Sequence, residues 1–129
     1  MRRSAVRAIA PLTLMALIFY FSAQEDIPGD PAEWEHVVGH FSEYALLAAL
    51  WIWALAPRLG RGAIVAAAAI SLVYAVSDEL HQSYVPGRAA DPLDVLADAC
   101  GIAFAVVLAL AVSRARSRRT ARRAPAPPA

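Results

Sequence analysis

Apolar residues in this chain gather into four runs, at 8–23, 41–56, 62–77 and 93–113, and the charged residues are swept into the gaps between them. A bilayer core of ~30 Å asks for about 20 helical residues, with roughly 17–25 usual. The fourth run is full length. The second and third are short enough to place their polar ends in the membrane interface. The pattern predicts an all-α membrane protein with four transmembrane helices. A cleaved leader is the alternative for the first run, but cleavage after Ala23 would put Phe21 where a small residue is needed, so the run is expected to stay as an anchor.

The gaps read as loops. Arg58-Leu59-Gly60-Arg61 is a tight turn, with Pro57 expected to end the helix before it. Residues 24–39 form an acidic loop broken by Pro28, Gly29 and Pro31. Residues 80–92 form a second loop, with Pro86-Gly87 as its turn signal. The chain divides into a basic N-terminus at 1–7, a four-helix transmembrane domain at 8–113 and an Arg-, Pro- and Ala-rich tail at 114–129 that is expected to be disordered.

Composition agrees with that pattern. Hydrophobic residues make up 59% of the 129 positions, against roughly 45–50% in an ordinary soluble domain. The single Cys100 excludes an internal disulfide framework and reads as a small packing residue.

Charge adds an orientation. Arg2, Arg3 and Arg7 precede the first run, Arg58 and Arg61 join the second to the third, and Arg114, Arg116, Arg118, Arg119, Arg122 and Arg123 follow the fourth. By the positive-inside rule those stretches are cytoplasmic, which puts both termini inside. The acidic residues, not used in that assignment, all fall on the opposite side or at its membrane boundary. The tail arginines are expected to meet anionic lipid headgroups, at about 1 kcal/mol per residue near the surface. Nucleic acid is the less economical partner for them.

Candidate chemistry lies where polar residues enter the apolar runs, because an ionisable group there costs about 2.5–3.5 kcal/mol at the helix centre. His40, Glu43 and Tyr44 share one helical face by their i, i+3, i+4 spacing. Ser71, Tyr74 and Asp78 form a second stripe, continued by Glu79, His81 and Gln82. Asp91, Asp94, Asp98 and Gly101 form a third. All three stripes sit at the outer level, so they are expected to build one outward-facing acidic polar cluster.

Six carboxylates there, Glu43, Asp78, Glu79, Asp91, Asp94 and Asp98, face one cation, Arg88. Polar interhelical glue needs fewer charges than this, and the excess points to a bound cation, protonated carboxyls or a cationic ligand. His40 and Glu43 suit one side of a metal site, but the further ligands would have to come from Asp78, Glu79 or Asp98. No metal is therefore assigned, and the cofactor is left open. Tyr44 and Tyr84 read as interfacial anchors, and Trp51 and Trp53 as lipid-facing or packing residues.

The residues His40-Phe41-Ser42-Glu43-Tyr44, then Asp78-Glu79-Leu80-His81-Gln82, Val85-Pro86-Gly87-Arg88, Asp94-Val95 and Gly101 resemble the VanZ-like family of small bacterial membrane proteins. The likeness runs from Ser22-Ala23-Gln24 to Gly101. Two positions depart from the pattern: Val37 stands where members often carry a basic residue, and Asp98 where many have asparagine. The resemblance implies the bacterial cytoplasmic membrane and, through the family's namesake, reduced sensitivity to teicoplanin-type glycopeptides. It implies no particular reaction.

Two functions fit. In the first, an envelope enzyme or modifier acts on a lipid-linked or cell-wall substrate, with His40, Glu43, Asp78 and Glu79 as catalytic candidates and Gln82, Arg88, Asp94 and Asp98 holding substrate. In the second, a non-catalytic accessory protein uses the acidic pocket for a cationic ligand or a partner. A transport pathway would require four short helices to oligomerise.

Overall fold

The computed structural model describes residues 2–24, 33–88 and 91–123. They form four helices: α1 (Arg2–Ser22), α2 (Glu33–Leu59), α3 (Gly62–Gln82) and α4 (Pro92–Arg123). Three of them, over Trp34–Leu59, Gly62–Gln82 and Pro92–Arg122, are long and apolar enough to cross a membrane. The apolar part of α1, Val6–Ser22, is shorter. Prolines 28 and 31, expected to break the first loop, lie outside the described residues.

All four helices extend past their apolar runs, α3 as far as Gln82 in the stretch expected as loop, and the longest extensions are those of α2 and α4. α2 begins at Glu33, inside the stretch expected as loop. Trp34, Val37, Val38 and Phe41 recur at helical spacing there, a period masked by the acidic and histidine residues between them. α4 continues as helix through residues 114–123, which corrects the expectation of a disordered tail over that segment. Arg and Ala are among the best helix formers, and a helix already nucleated by the span needs only propagation. At 32 residues α4 is about 48 Å long, well beyond the ~30 Å bilayer core. The rest of the tail, 124–129, lies outside the described residues.

Pro57 does not end α2, which runs on to Leu59. The stop comes at Gly60, whose φ of +53° suits glycine alone and whose N–H reaches the Ala56 carbonyl at 3.0 Å.

α2 is the hub: it packs against α1, α3 and α4, whereas α1 reaches only α2 and α3 among the described residues. Ile18, Tyr44, Leu47, Ala48, Ala75, Ile102 and Ala105 form the buried core, with Trp51 and Tyr74 packed against it. Its many small residues let backbones approach closely, as expected where lipid tails remove the hydrophobic drive for helix association. Gly101 marks the tightest approach, because a Cβ there would run into the Phe41 carbonyl oxygen of α2.

Large apolar side chains such as Val65, Val73 and Val107 point outward instead. Tyr44 is fully buried and is not an interfacial anchor. Cys100, expected to pack internally, lies exposed on the outer face of α4. Trp53 is exposed, with the Arg7 guanidinium 4.9 Å over its ring, so a cation–π contact ties α1 to α2.

Along its length α1 is also held to α3 by a hydrogen bond in which the Tyr74 hydroxyl donates to the Met15 carbonyl at 2.6 Å. Tyr74→Phe removes the hydroxyl and keeps the ring. The expected cost is about 0.5–1.5 kcal/mol, read as a lowered melting temperature of the detergent-solubilised protein.

Candidate functional site

His40 lies on the second exposed turn of α2 and reaches across to α4. Its Nδ1 is 3.0 Å from Asp98 Oδ1, and its Nε2 is 3.7 Å from Asp94 Oδ2. Asp94 and Asp98 are one helical turn apart, so a single imidazole faces both carboxylates. The Asp98 side chain is 2% exposed and the His40 side chain 15%, so the first contact is almost closed to solvent.

The close crossing at Gly101 makes this reach short. Gly101 lies three residues beyond Asp98, against the backbone of Phe41 and Ala45. The third stripe therefore supplies an acceptor for His40 and, one turn deeper, the gap that lets α2 approach.

α1 and α3 meet around Asp78. The Ser22 hydroxyl donates to Asp78 Oδ2 at 2.9 Å and the Gln82 amide donates to the same oxygen at 3.1 Å. Gln82 Nε2 also lies 3.4 Å from Ser22 Oγ. Ser22, Asp78 and Gln82 are all buried, so the last turn of α1 is locked to the last turn of α3. Asp78 Oδ1, also buried, has no hydrogen-bond partner among the described residues.

Arg88 is delivered by a tight turn. Its N–H bonds to the Val85 carbonyl at 3.2 Å, with Pro86 and Gly87 between them and Gly87 at φ +83°. Proline at the second place and a positive φ at the third are the demands of a type II turn, as the Pro-Gly pair predicts.

These groups line one cleft of about 170 Å³. His40, Glu43, Asp78, Gln82 and Arg88 are all on its walls, together with Ser22. Glu43 is exposed there. Sequence reasoning missed Ser22 as a wall residue, although Ser22-Ala23-Gln24 marked one edge of the resemblance. It also missed Glu35 and His36, which line the cleft from the first turn of α2. His36 lies four residues before His40, a spacing that would have found it had the segment been read as helix.

Glu79, Asp94 and Asp98 are not on those walls. Glu79 Oε1 accepts the N–H of Asp91, and Asp91 Oδ1 in turn accepts the N–H of Leu93 at 2.8 Å. This pair ties the end of α3 to the start of α4 and caps α4, satisfying donors that a helix start leaves open. The geometry gives Glu79 a clamping place and Asp98 a place behind His40. Tyr44, sharing the His40 face, points into the core with its hydroxyl unpaired among the described residues. His81 stacks on Phe19 with ring centroids 4.4 Å apart.

Chemically, the cleft offers an imidazole held from behind by a carboxylate, a hydrogen-bonded carboxylate with one oxygen unpaired, an exposed carboxylate and a guanidinium. No three His, Cys, Asp or Glu side chains among the described residues converge as metal ligands.

Comparison with known proteins gives a single positive result. A family model described as VanZ/LLP1 matches residues 36–113, more than half of the chain. The matched stretch takes in His40, Asp78, Arg88 and Asp98 and leaves out Ser22. No curated protein and no solved structure matches.

Proposed function

Because the chain belongs to the VanZ-like (VanZ/LLP1) family, we infer that it works at the outer face of the bacterial cytoplasmic membrane, where its cleft holds the polar end of a lipid-linked or cell-wall molecule. The observation that carries this reading is the cleft itself, in which His40, Glu43, Asp78, Gln82 and Arg88 arrive from two helices and a loop. His40 is the acid–base group, fixed by Asp98. Arg88 takes an anionic group, for which its planar fork is suited. Asp78, with Ser22 and Gln82, forms the opposite polar wall.

The topology that goes with this reading has four spans and both termini in the cytoplasm. The apolar part of α1 is about 26 Å long, close to the ~30 Å core. The arginine-bearing end of α4 then lies inside the cell, against anionic headgroups.

A second reading, in which the protein binds without catalysing, draws support from Glu43 and Asp78 Oδ1. Asp78 Oδ1 has no hydrogen-bonding partner among the described residues and Glu43 is exposed, and such groups suit a cationic ligand as well as a reaction.

One set of variants tests both, namely His40→Ala, Arg88→Ala and Asp94→Glu in a deletion strain, each checked for its level in the membrane. The readout is sensitivity to teicoplanin and other envelope-targeting agents. His40→Ala and Arg88→Ala are expected to remove any protective effect of the wild type while the protein stays in the membrane. Full protection by both would sink the cleft as the functional site. Asp94→Glu separates the readings, because a catalytic site held to about 0.5 Å does not tolerate the longer side chain and a binding surface does.

A further inference from the structure

The cleft carries both signs of charge in a small space. Glu43 and Asp78 line it, and so does Arg88. Asp78 is 4% exposed, and its Oδ1 has no hydrogen-bond donor among the described residues, although Oδ2 has two. Buried carboxylate oxygens are rarely left in that state, and Asp78 is a wall residue of the cleft, from which a ligand can bring the missing donor.

We propose that the cleft binds a small group carrying both a primary ammonium and a phosphate, with the ammonium on Asp78 Oδ1 and Glu43 and the phosphate on Arg88. This deepens the reading of the cleft as a ligand site and rests on it. Four observations select the chemistry. The unpaired oxygen accepts from a donor, which a primary ammonium supplies in triplicate, with a complementary charge, and a quaternary ammonium lacks. Two carboxylates alone leave most of a Ca²⁺ shell unfilled, and no third His, Cys, Asp or Glu joins them among the described residues. A guanidinium presents five N–H groups, enough to keep a protein partner and still bind a phosphate. At about 170 Å³ the space falls below the roughly 300–1,000 Å³ of drug-sized sites. It therefore takes a headgroup and not a disaccharide or a peptide.

Position selects the source. Ser22, Asp78 and Gln82 stand on the last turns of α1 and α3, and His40 near the start of α2. The cleft thus lies at helix ends, at the depth of lipid headgroups. A phosphatidylethanolamine-type lipid presents both charges at that depth.

The test uses the full-length protein in detergent and native mass spectrometry with dioctanoyl phosphatidylethanolamine or dioctanoyl phosphatidylcholine. These lipids share chains and phosphate and differ in three N-methyl groups, which remove the N–H donors and enlarge the headgroup. The carboxamide variants tell the two effects apart, because they remove the charge of the acceptor and leave the space of the cleft unchanged. The expected result is about a tenfold preference for the ethanolamine lipid, lost in both D78N and E43Q. E43Q changes an exposed side chain that makes no side-chain hydrogen bond among the described residues, so it reports even if D78N is poorly folded. Competition by free phosphoethanolamine at equal concentration would also support the ammonium–phosphate chemistry, and would move its source from lipid to solute. Equal retention of the two lipids, or an ethanolamine preference unchanged in E43Q, overturns the proposal. So does dioctanoyl phosphatidic acid with Mg²⁺ binding as well as the ethanolamine lipid. Such a failure leaves the phenotypes of His40→Ala and Arg88→Ala untouched, so it is distinct from failure of the cleft as a functional site.

Discussion

Gly101→Leu is expected to leave almost no folded protein in the membrane, and Gly101→Ala to lower stability by about 1–3 kcal/mol. The cause is backbone against backbone. A Cβ at Gly101 meets the Phe41 carbonyl oxygen and lies 3.0 Å from the Ala45 nitrogen, and neither group belongs to a side chain that could rotate away. α2 and α4 must therefore separate, and α2 is the helix on which every other one packs. The separation also reaches the site, because His40 precedes Phe41 and Asp98 lies three residues before Gly101. Gly101→Ala should lengthen the 3.0 Å contact between His40 and Asp98 and so impair function beyond its effect on stability. Fluorescence-detected size-exclusion chromatography after graded heating gives the stability change. A Gly101→Ala protein with an unaltered melting curve would mean that the crossing is looser than this geometry requires.

Asp98→Ala is expected to have the largest effect among the polar residues. Asp98 is 1% exposed, and its carboxylate is the near partner of His40 Nδ1, with Asp94 at 3.7 Å from the other ring nitrogen. Removing it leaves a buried imidazole nitrogen without an acceptor and a gap between α2 and α4. The stability cost is about 1–3 kcal/mol. Asp98→Asn keeps an oxygen that can accept from Nδ1–H and nearly fills the same volume, so it should fold within about 1 kcal/mol of the wild type. The pair of variants separates orientation from charge. If His40 needs only to be held in place, Asp98→Asn preserves the phenotype that Asp98→Ala loses. If both variants behave like wild type in the membrane assay and in thermal melts, Asp98 neither positions His40 nor supports the helix pair.

The polar stripes were legible because spacing alone places His40 with Glu43, and Asp94 with Asp98, on common helical faces. Their partners were not. Six carboxylates stood near one level in the sequence, and nothing in their spacing tells which of them meets His40. That choice depends on the distance and rotation between α2 and α4, and these follow from a glycine one turn away from the histidine's partner. Glu79 shows the same limit. Beside Asp78 it looked equally suited to chemistry, but adjacent helical positions point about 100° apart, so Asp78 turns to the cleft and Glu79 to the backbone of Asp91. Ser22 escaped notice because its partner is 56 residues away.

The sequence by itself determined the helices, their order and the helix ends near which polar groups collect. Hydrophobic length and helical period are local properties, and a lipid environment enforces them on each segment separately. For the helices its largest errors lay at edges: at the start of α2, where polar residues masked the period, and at the end of α4, where a helix already formed carried on through arginine and alanine. The tertiary structure alone decided which polar groups share the cleft, which are buried behind it and which carboxylate oxygen is left without a donor. Those outcomes depend on interhelical approach, which is set by small residues such as Gly101 that carry no chemical signal of their own.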